Sequence, residues 1–153
     1  MKPDPRPLVS IGVPVFNGEG GLARSLDSLL QQDYPNLEIV ISDNGSTDGT
    51  GRIGEKYSRE DSRVKYVRAE RNHGAPWNFN RVFELSSGAY FAWAAHDDER
   101  DPSFVSACVE RLEHDPRAVL CTGHAAVSID PSDDTLYVAH YDSFDGLIDV
   151  VAR

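Results

Sequence analysis

Ala89-Tyr90-Phe91-Ala92-Trp93-Ala94-Ala95 carries no charge and runs straight into His96-Asp97-Asp98-Glu99. A strand that is apolar on both faces must be covered on both, which calls for helices above and below a sheet. The carboxylates at its end repel each other unless a cation lies between them. Hard oxygen ligands at the carboxyl end of a strand suit Mg2+ or Mn2+, particularly where phosphates complete the shell. The bland alternative is a solvated acidic turn before the helix that follows Asp101-Pro102. A second acidic strand end, at Asp43, favours the metal.

The rest of the chain alternates strand and helix. Leu8 to Val15 reads as a first strand. A helix follows from Gly20 to Gln32, with Leu22, Leu26, Leu29 and Leu30 on one stripe. Leu37 to Ser42 is the second strand. The turn Asp43-Asn44-Gly45-Ser46-Thr47-Asp48-Gly49 leads into a helix through Tyr57, for which Thr47 or Asp48 supplies the N-cap. Val64 to Arg68 predicts a third strand, and Pro76 to Leu85 a helix with proline in its first turn. After the strand at 89–95 come a helix from Pro102 to His114 and a last strand from Ala118 to Ile129, interrupted at Gly123. Strands joined by helices of this length pair in parallel with right-handed crossovers, so the fold class is α/β. Beyond Asp130 the pattern is too acidic and irregular to assign.

Several function classes fall away. At 153 residues the chain holds one cored domain. No apolar run reaches the length of a membrane span, and the first seven residues lack a signal peptide's apolar core. A net charge of −10 argues against nucleic acid as a partner. It does not exclude a small anion, since a metal and backbone amides can reverse the field inside a cleft. Cys108 and Cys121 lack metal-type spacing and read as buried free thiols of a reducing cytoplasm. Gly-x-Gly-x-x-Gly is absent after the first strand, as is any Gly-Lys-Ser/Thr loop, so a dinucleotide or P-loop triphosphate is poorly supported. A signalling receiver domain needs acids directly after the first strand, where this chain has Phe16-Asn17.

In an open α/β sheet, ligands collect beyond the carboxyl ends of the strands. Phe16-Asn17-Gly18-Glu19, Asp43-Asn44, Arg71-Asn72-His73-Gly74 and Asp97-Asp98 all lie at such ends. Phe16 offers an aromatic face for a base. Asp43 has only acceptors and would favour a base edge that presents N–H, such as the uracil imide. His96 reads as a hydrogen-bond partner of its acidic neighbours rather than a ligand. Asp48 reads as a helix cap, Asn17 equally as a turn former, and His73 as a loop residue whose backbone matters more than its ring. Trp77 and Trp93 could face a sugar, yet aromatics inside helices and strands read as core.

Val9 to Asn17, Leu26 to Gln32 and Ile39 to Asp48 resemble the opening of family 2 glycosyltransferases with the GT-A fold. Arg71 to Gly74, the Asn80 region before Gly88, and Asp97-Asp98 follow in the family's order, so the match covers about residues 8 to 125. The resemblance implies a Rossmann-like, mostly parallel sheet flanked by helices. It implies that Pro14, Phe16, Asn17 and Glu19 line the nucleotide pocket and that Asp43 contacts the base. Asn44, Asn72, Gly74 and Asn80 would complete the donor-binding set. Asp97 matches the sugar-nucleotide acid of the Asp-x-Asp-type motif and Asp98 the ligand of Mg2+ or Mn2+.

The implied reaction is inverting transfer from a nucleotide-sugar, a UDP-sugar by the reading of Asp43, to a saccharide or lipid-linked acceptor in polysaccharide or glycoconjugate synthesis. Residues 1–7 would be a tail, 8–130 the nucleotide-sugar-binding domain, and 131–153 the start of an incomplete acceptor side. Asp130, Asp133, Asp134, Asp142 and Asp145 match no motif of the family, and no general base is assigned. A nucleotide-sugar-binding module without turnover is the alternative. The expected location is cytoplasmic, peripheral at the inner membrane face, and a homodimer is left open.

Overall fold

Two runs of seven consecutive buried residues, Val9–Val15 (β1) and Leu37–Asp43 (β2), lie side by side in parallel, Val9 opposite Leu37 and Val15 opposite Asp43. The computed structural model describes residues 6–123 together with backbone strands at 125–128, 135–139 and 150–152. Between β1 and β2 runs α1 (Leu22–Leu30), followed by α2 (Thr50–Glu60), β3 (Val64–Arg68), α3 (Ala75–Glu84), β4 (Tyr90–Trp93) and α4 (Phe104–His114). The short strands β5 (Leu120–Cys121), β6 (Ala125–Ser128), β7 (Thr135–Ala139) and β8 (Val150–Ala152) complete the chain.

The main sheet has the order β3-β2-β1-β4-β8-β5. Its first four strands are parallel, while β8 enters antiparallel to both β4 and β5. The two faces divide the buried side chains by strand period. Ile39 and Ile41 join Leu22, Leu26 and Leu29 of α1, whereas Val40 packs with Val82 of α3 and with Phe91. Burying each such aliphatic side chain contributes roughly 1.5–3 kcal/mol. At Gly12 the approach is so close that a Cβ would stand 2.7 Å from Phe91 Cζ and 3.0 Å from Val82 Cγ1.

The expected α/β order holds through α4. The last strand expected at 118–129 is interrupted around Gly123 as expected, but its two pieces, β5 and β6, serve different sheets, since β6 pairs with β7 as a separate antiparallel hairpin. Val150–Ala152, in the stretch expected to open an acceptor side, is a strand of the main sheet. The Trp77 expectation also fails. Asn78 and Val82 are the buried positions of α3, which leaves Trp77 38% exposed on the outer flank, while Trp93 is half-buried against Phe91.

Candidate functional site

Four loops leave the carboxyl ends of β1, β2, β3 and β4, and hydrogen bonds lace them into one rim. Asn17, the one non-glycine residue with positive φ (53°) among the described residues, turns the chain sharply after β1. Its N–H donates to Ser46 Oγ (2.9 Å), and its Oδ1 accepts from Thr47 N (2.8 Å). Glu19 accepts from Gly49 N (2.9 Å) at the start of α2 and pairs with Arg52 (3.2 Å). Asn44 then ties the end of β2 to the next loop: its Nδ2 donates to Asn72 Oδ1 and Gly74 O, and its Oδ1 accepts from His73 N. A Cβ on Gly45 would stand 2.6 Å from the Arg71 carbonyl carbon, so the two loops touch through backbone.

The acidic loop after β4 is held by the polar stripe of α1. Ser25 Oγ donates to Ala95 O (2.9 Å), and Arg24 Nη2 to Asp97 O (3.3 Å). Ser28 Oγ accepts from Arg100 N, Gln32 Nε2 donates to Asp101 O (2.7 Å), and Gln32 Oε1 accepts from Val105 N (3.0 Å). Arg24 also pairs with Glu99 at 2.9 Å. The loop that leaves β1 closes the other side. A Cβ on Gly18 would stand 2.4 Å from His96 Cδ2, and one on Gly21 would stand 2.9 Å from Asp97 Cα. Asp97 and Asp98 therefore sit beside the Phe16–Glu19 loop, both exposed, with the Asp98 carboxylate bonded to nothing among the described residues. His96 Nδ1 lies 3.9 Å from Asp97 Oδ1, too far for the hydrogen bond expected of it.

The structure sorts the expected donor-binding residues into two groups. Phe16 (41% exposed), Asn17, Glu19, Asp97 and Asp98 reach solvent on the rim, although Asn17 and Glu19 use their side-chain oxygens on the neighbouring loop. Asn72 and Gly74 are exposed as well, and Asn72 Oδ1 accepts the Gly74 N–H (2.7 Å). Pro14 does not line a pocket, because it is buried in β1 opposite Ser42. The β4 ladder ends at Gly12–Trp93, so the missing Pro14 N–H breaks no bond there. Asn44 is buried as loop scaffold. Asn80 is exposed on the outer flank of α3, in a shallow depression with Trp77, Arg81 and Glu84, and not on the rim. Asp48 does cap: its Oδ1 accepts from Thr50 N and Oγ1, one residue ahead of the Gly49 N-cap position.

Asp43, the expected base contact, lies deepest of the set. It has no exposed surface, and both of its oxygens are occupied, Oδ1 by Ser46 N (2.8 Å) and Oδ2 by the Tyr66 hydroxyl (2.6 Å). Arg68 Nε stands 3.7 Å from Oδ2. Burial, then the hydrogen bond to Asp43, holds the Tyr66 hydroxyl well above the usual tyrosine range. A carboxylate so enclosed positions the β2–α2 turn, and a base edge would reach its remaining lone pairs only if the turn opened. Asn78, which the sequence reading passed over, is a second such anchor. Buried in α3, it accepts from Ser42 Oγ (2.6 Å) and donates to Ser42 O (2.8 Å) and Val15 O (3.4 Å), pinning the helix to the ends of β1 and β2. A polar residue at an inward helical position was its signal.

Among the described residues no three or more His, Cys, Asp or Glu side chains gather to hold a metal ion. Asp97-Asp98 is a pair, and Asp130, Asp133, Asp134, Asp142 and Asp145 lie outside the described residues. Among the described residues no helix is long and apolar enough to cross a membrane.

Residues 10–146 match the model of glycosyl transferase family 2. Chondroitin synthase of Escherichia coli is 33% identical over 109 residues, 71% of this chain and 16% of that protein. Among solved structures, S. aureus TarS 1–349 in complex with UDP-GlcNAc superimposes with a TM-score of 0.65 at 28% identity, covering 70% of this chain and 31% of that one. Mannosyltransferase PcManGT of Pyrobaculum calidifontis, in complex with GDP-Man and Mn2+, gives 0.67 at 25% identity, covering 84% and 37%. The four-stranded parallel sheet with its flanking helices is thus the GT-A, Rossmann-like fold. The chain spans half or less of the length of the curated relatives it matches.

Proposed function

The chain belongs to glycosyl transferase family 2, and on that premise we propose that it is the donor-binding part of a metal-dependent, inverting glycosyltransferase that uses a UDP-sugar. The observation that carries this reading is the exposed Asp97-Asp98 pair, with Asp98 unpartnered among the described residues, clamped by α1 beside the Phe16–Glu19 loop. One or two carboxylates with phosphates and water suit Mg2+ or Mn2+ better than an all-protein cage would. Asp98 would hold the ion, whose charge would stabilise the departing diphosphate. The Mn2+ and GDP-Man complex of PcManGT supports the metal, and the UDP-GlcNAc complex of TarS supports uridine.

The chain's own residues divide the work. Phe16 offers its ring face to the base, and Asp97 accepts from a hydroxyl of the sugar-nucleotide. Asp43, Asn44, Asn72 and Gly74 keep the turn behind the base in shape. In the transfer, the bond from the anomeric carbon to the diphosphate oxygen breaks as an acceptor hydroxyl attacks from the opposite face. That hydroxyl loses its proton to a base, a role assigned to no described residue. The acceptor is a saccharide or lipid-linked sugar, a reading that the similarity to chondroitin synthase supports.

Calorimetry with UDP, GDP and ADP, with and without Mn2+, tests the proposal. UDP should bind in a Mn2+-dependent manner, and Asp98→Ala should weaken that binding by about a hundredfold, the loss of one charged metal ligand. Because Asp98 bonds to no described residue, its melting temperature should not move. Equal UDP affinity in a chelator, or in Asp98→Ala, would sink the reading. Consumption of UDP-sugar with an oligosaccharide acceptor separates transfer from binding without turnover.

A further inference from the structure

Between α3 and the segment that leaves β3 lies a second concave site. A cavity of about 460 Å3 is lined there by Arg68, Glu70, Arg71, His73, Trp77 and Arg81. Arg71 and His73 flank Asn72 in the rim loop after β3, but none of the lining residues is in the donor-binding set named above. Three guanidinium groups in one cavity stand out in a chain whose net charge is −10.

Their bonding is incomplete. Arg68 Nη2 donates to Ser46 O (2.6 Å), and its charge is shared with Asp43. Arg71 is exposed and meets no acceptor among the described residues. Arg81 lies 5.0 Å from the centre of the Trp77 ring, and its Nη1 is buried without a hydrogen-bond partner. A buried N–H without an acceptor is costly, and native structures rarely leave one so. Glu70 lines the same cavity but forms no ion pair with any of the three arginines. An oxyanion is the kind of partner that guanidinium N–H groups without an acceptor take best.

Its wall says more about the ligand. Trp77 stacks on His73 with ring centres 4.3 Å apart and planes 27° from parallel, so the indole is fixed while 38% of the residue stays exposed. A rigid aromatic surface beside guanidinium forks matches a ring that bears a planar anion. We propose that this cavity binds the carboxylate or phosphate of a charged saccharide, with Arg71 and Arg81 on the anion and Trp77 along the sugar ring. The saccharide half of the proposal rests on the glycosyltransferase reading, whereas the anion half does not.

Calorimetry and tryptophan fluorescence on the full chain, with sodium glucuronate, inorganic phosphate and glucose as probes, test both halves. Glucuronate should bind saturably and shift the tryptophan emission, glucose should do neither, and phosphate should bind more weakly than glucuronate. Arg71→Gln and Arg81→Gln should each weaken glucuronate by about tenfold, the loss of one charged hydrogen-bond donor. Mn2+-dependent UDP binding, measured on the same preparations, should not change. Exposed Arg71 keeps the test intact if Arg81→Gln does not fold. Glucuronate no tighter than glucose, unaltered binding in Arg71→Gln, or displacement of glucuronate by UDP would overturn the pocket. Phosphate as tight as glucuronate would overturn the sugar. Failure of UDP binding alone would strike the donor reading and leave this pocket standing.

Discussion

The Ser25 hydroxyl donates to the main-chain carbonyl of Ala95 across 2.9 Å, joining the middle of α1 to the first residue of the acidic loop. Ser28 continues the contact along the same helix face to Arg100 N, and Gln32, just past the end of α1, carries it on to Asp101 O and Val105 N. One stripe of α1 thus packs leucines into the core while its polar edge fixes where Asp97 and Asp98 stand.

Gln32 is the buried end of that edge, and replacing it by leucine strands a carbonyl and an N–H. Each orphaned group costs about 1–3 kcal/mol, so Gln32→Leu should lose about 2 kcal/mol or more in urea denaturation. Ser25→Ala should lose only about 1 kcal/mol. Both should weaken Mn2+-dependent UDP binding, because the loop they release carries the carboxylates. Unchanged calorimetry for both would show that the loop holds itself.

Asp43 and Tyr66 should behave as one structural unit. Tyr66→Phe removes the 2.6 Å bond inside the fold, and Asp43→Asn takes the charge and one acceptor oxygen out of it. Each should cost about 1–3 kcal/mol, with the double variant well short of the sum. Selectivity for UDP over ADP should survive in Tyr66→Phe. A selective loss of uridine in Asp43→Asn at unchanged stability would restore the direct base contact that its burial argues against.

The strands and the rim were legible in the sequence because their signals are local. The branched runs of β1 and β2, the leucine stripe of α1 and the charge-free run before Asp97 each lie within a dozen residues. The burial of Asp43 was not legible because it depends on Tyr66 and Arg68, which come from the next strand, and no local pattern marks that pairing. Trp77 was misread for the converse reason: α3 buries Asn78 instead and turns the indole outward. The insertion of β8 between β4 and β5 joins Val151 to Phe91 and Leu120, distant in sequence, which periodicity cannot report.

At the opposite end of the sheet, Glu38 is buried and accepts from Ser10 Oγ, Ser87 N and Oγ, and Lys65 Nζ (2.5 Å). Burial would raise its carboxyl, but Lys65, Ser10 and Ser87 together outweigh that and hold it at about 2. Its folded value lies below the unfolded one. The stability it contributes is therefore present above the ordinary glutamate value of 4.5 and disappears as pH falls from there toward 2. With Lys65 half-exposed, about 2 kcal/mol should be lost over that window. Glu38→Gln should be less stable at pH 7 and should lack this acid limb, as urea denaturation at several pH values would read. A parallel pH profile for the variant would assign the acid loss to other carboxylates.

Gly20 and Gly21 supply a matched pair for testing how tightly Asp97 is placed. A Cβ on Gly20 meets nothing within 4 Å, whereas one on Gly21 would stand 2.9 Å from Asp97 Cα and Cβ. Gly21 has φ −120° and ψ −29°, open to any residue, so alanine there brings no backbone strain and only a collision. The contact is with main chain, and the exposed acidic loop is the side free to yield. Gly21→Ala should therefore keep its melting temperature within a few degrees while Mn2+-dependent UDP affinity falls by about tenfold, the scale of a misplaced charged ligand. Gly20→Ala should bind as the parent chain does. If the two variants bind alike, the distance between the β1–α1 loop and Asp97 does not govern the donor site.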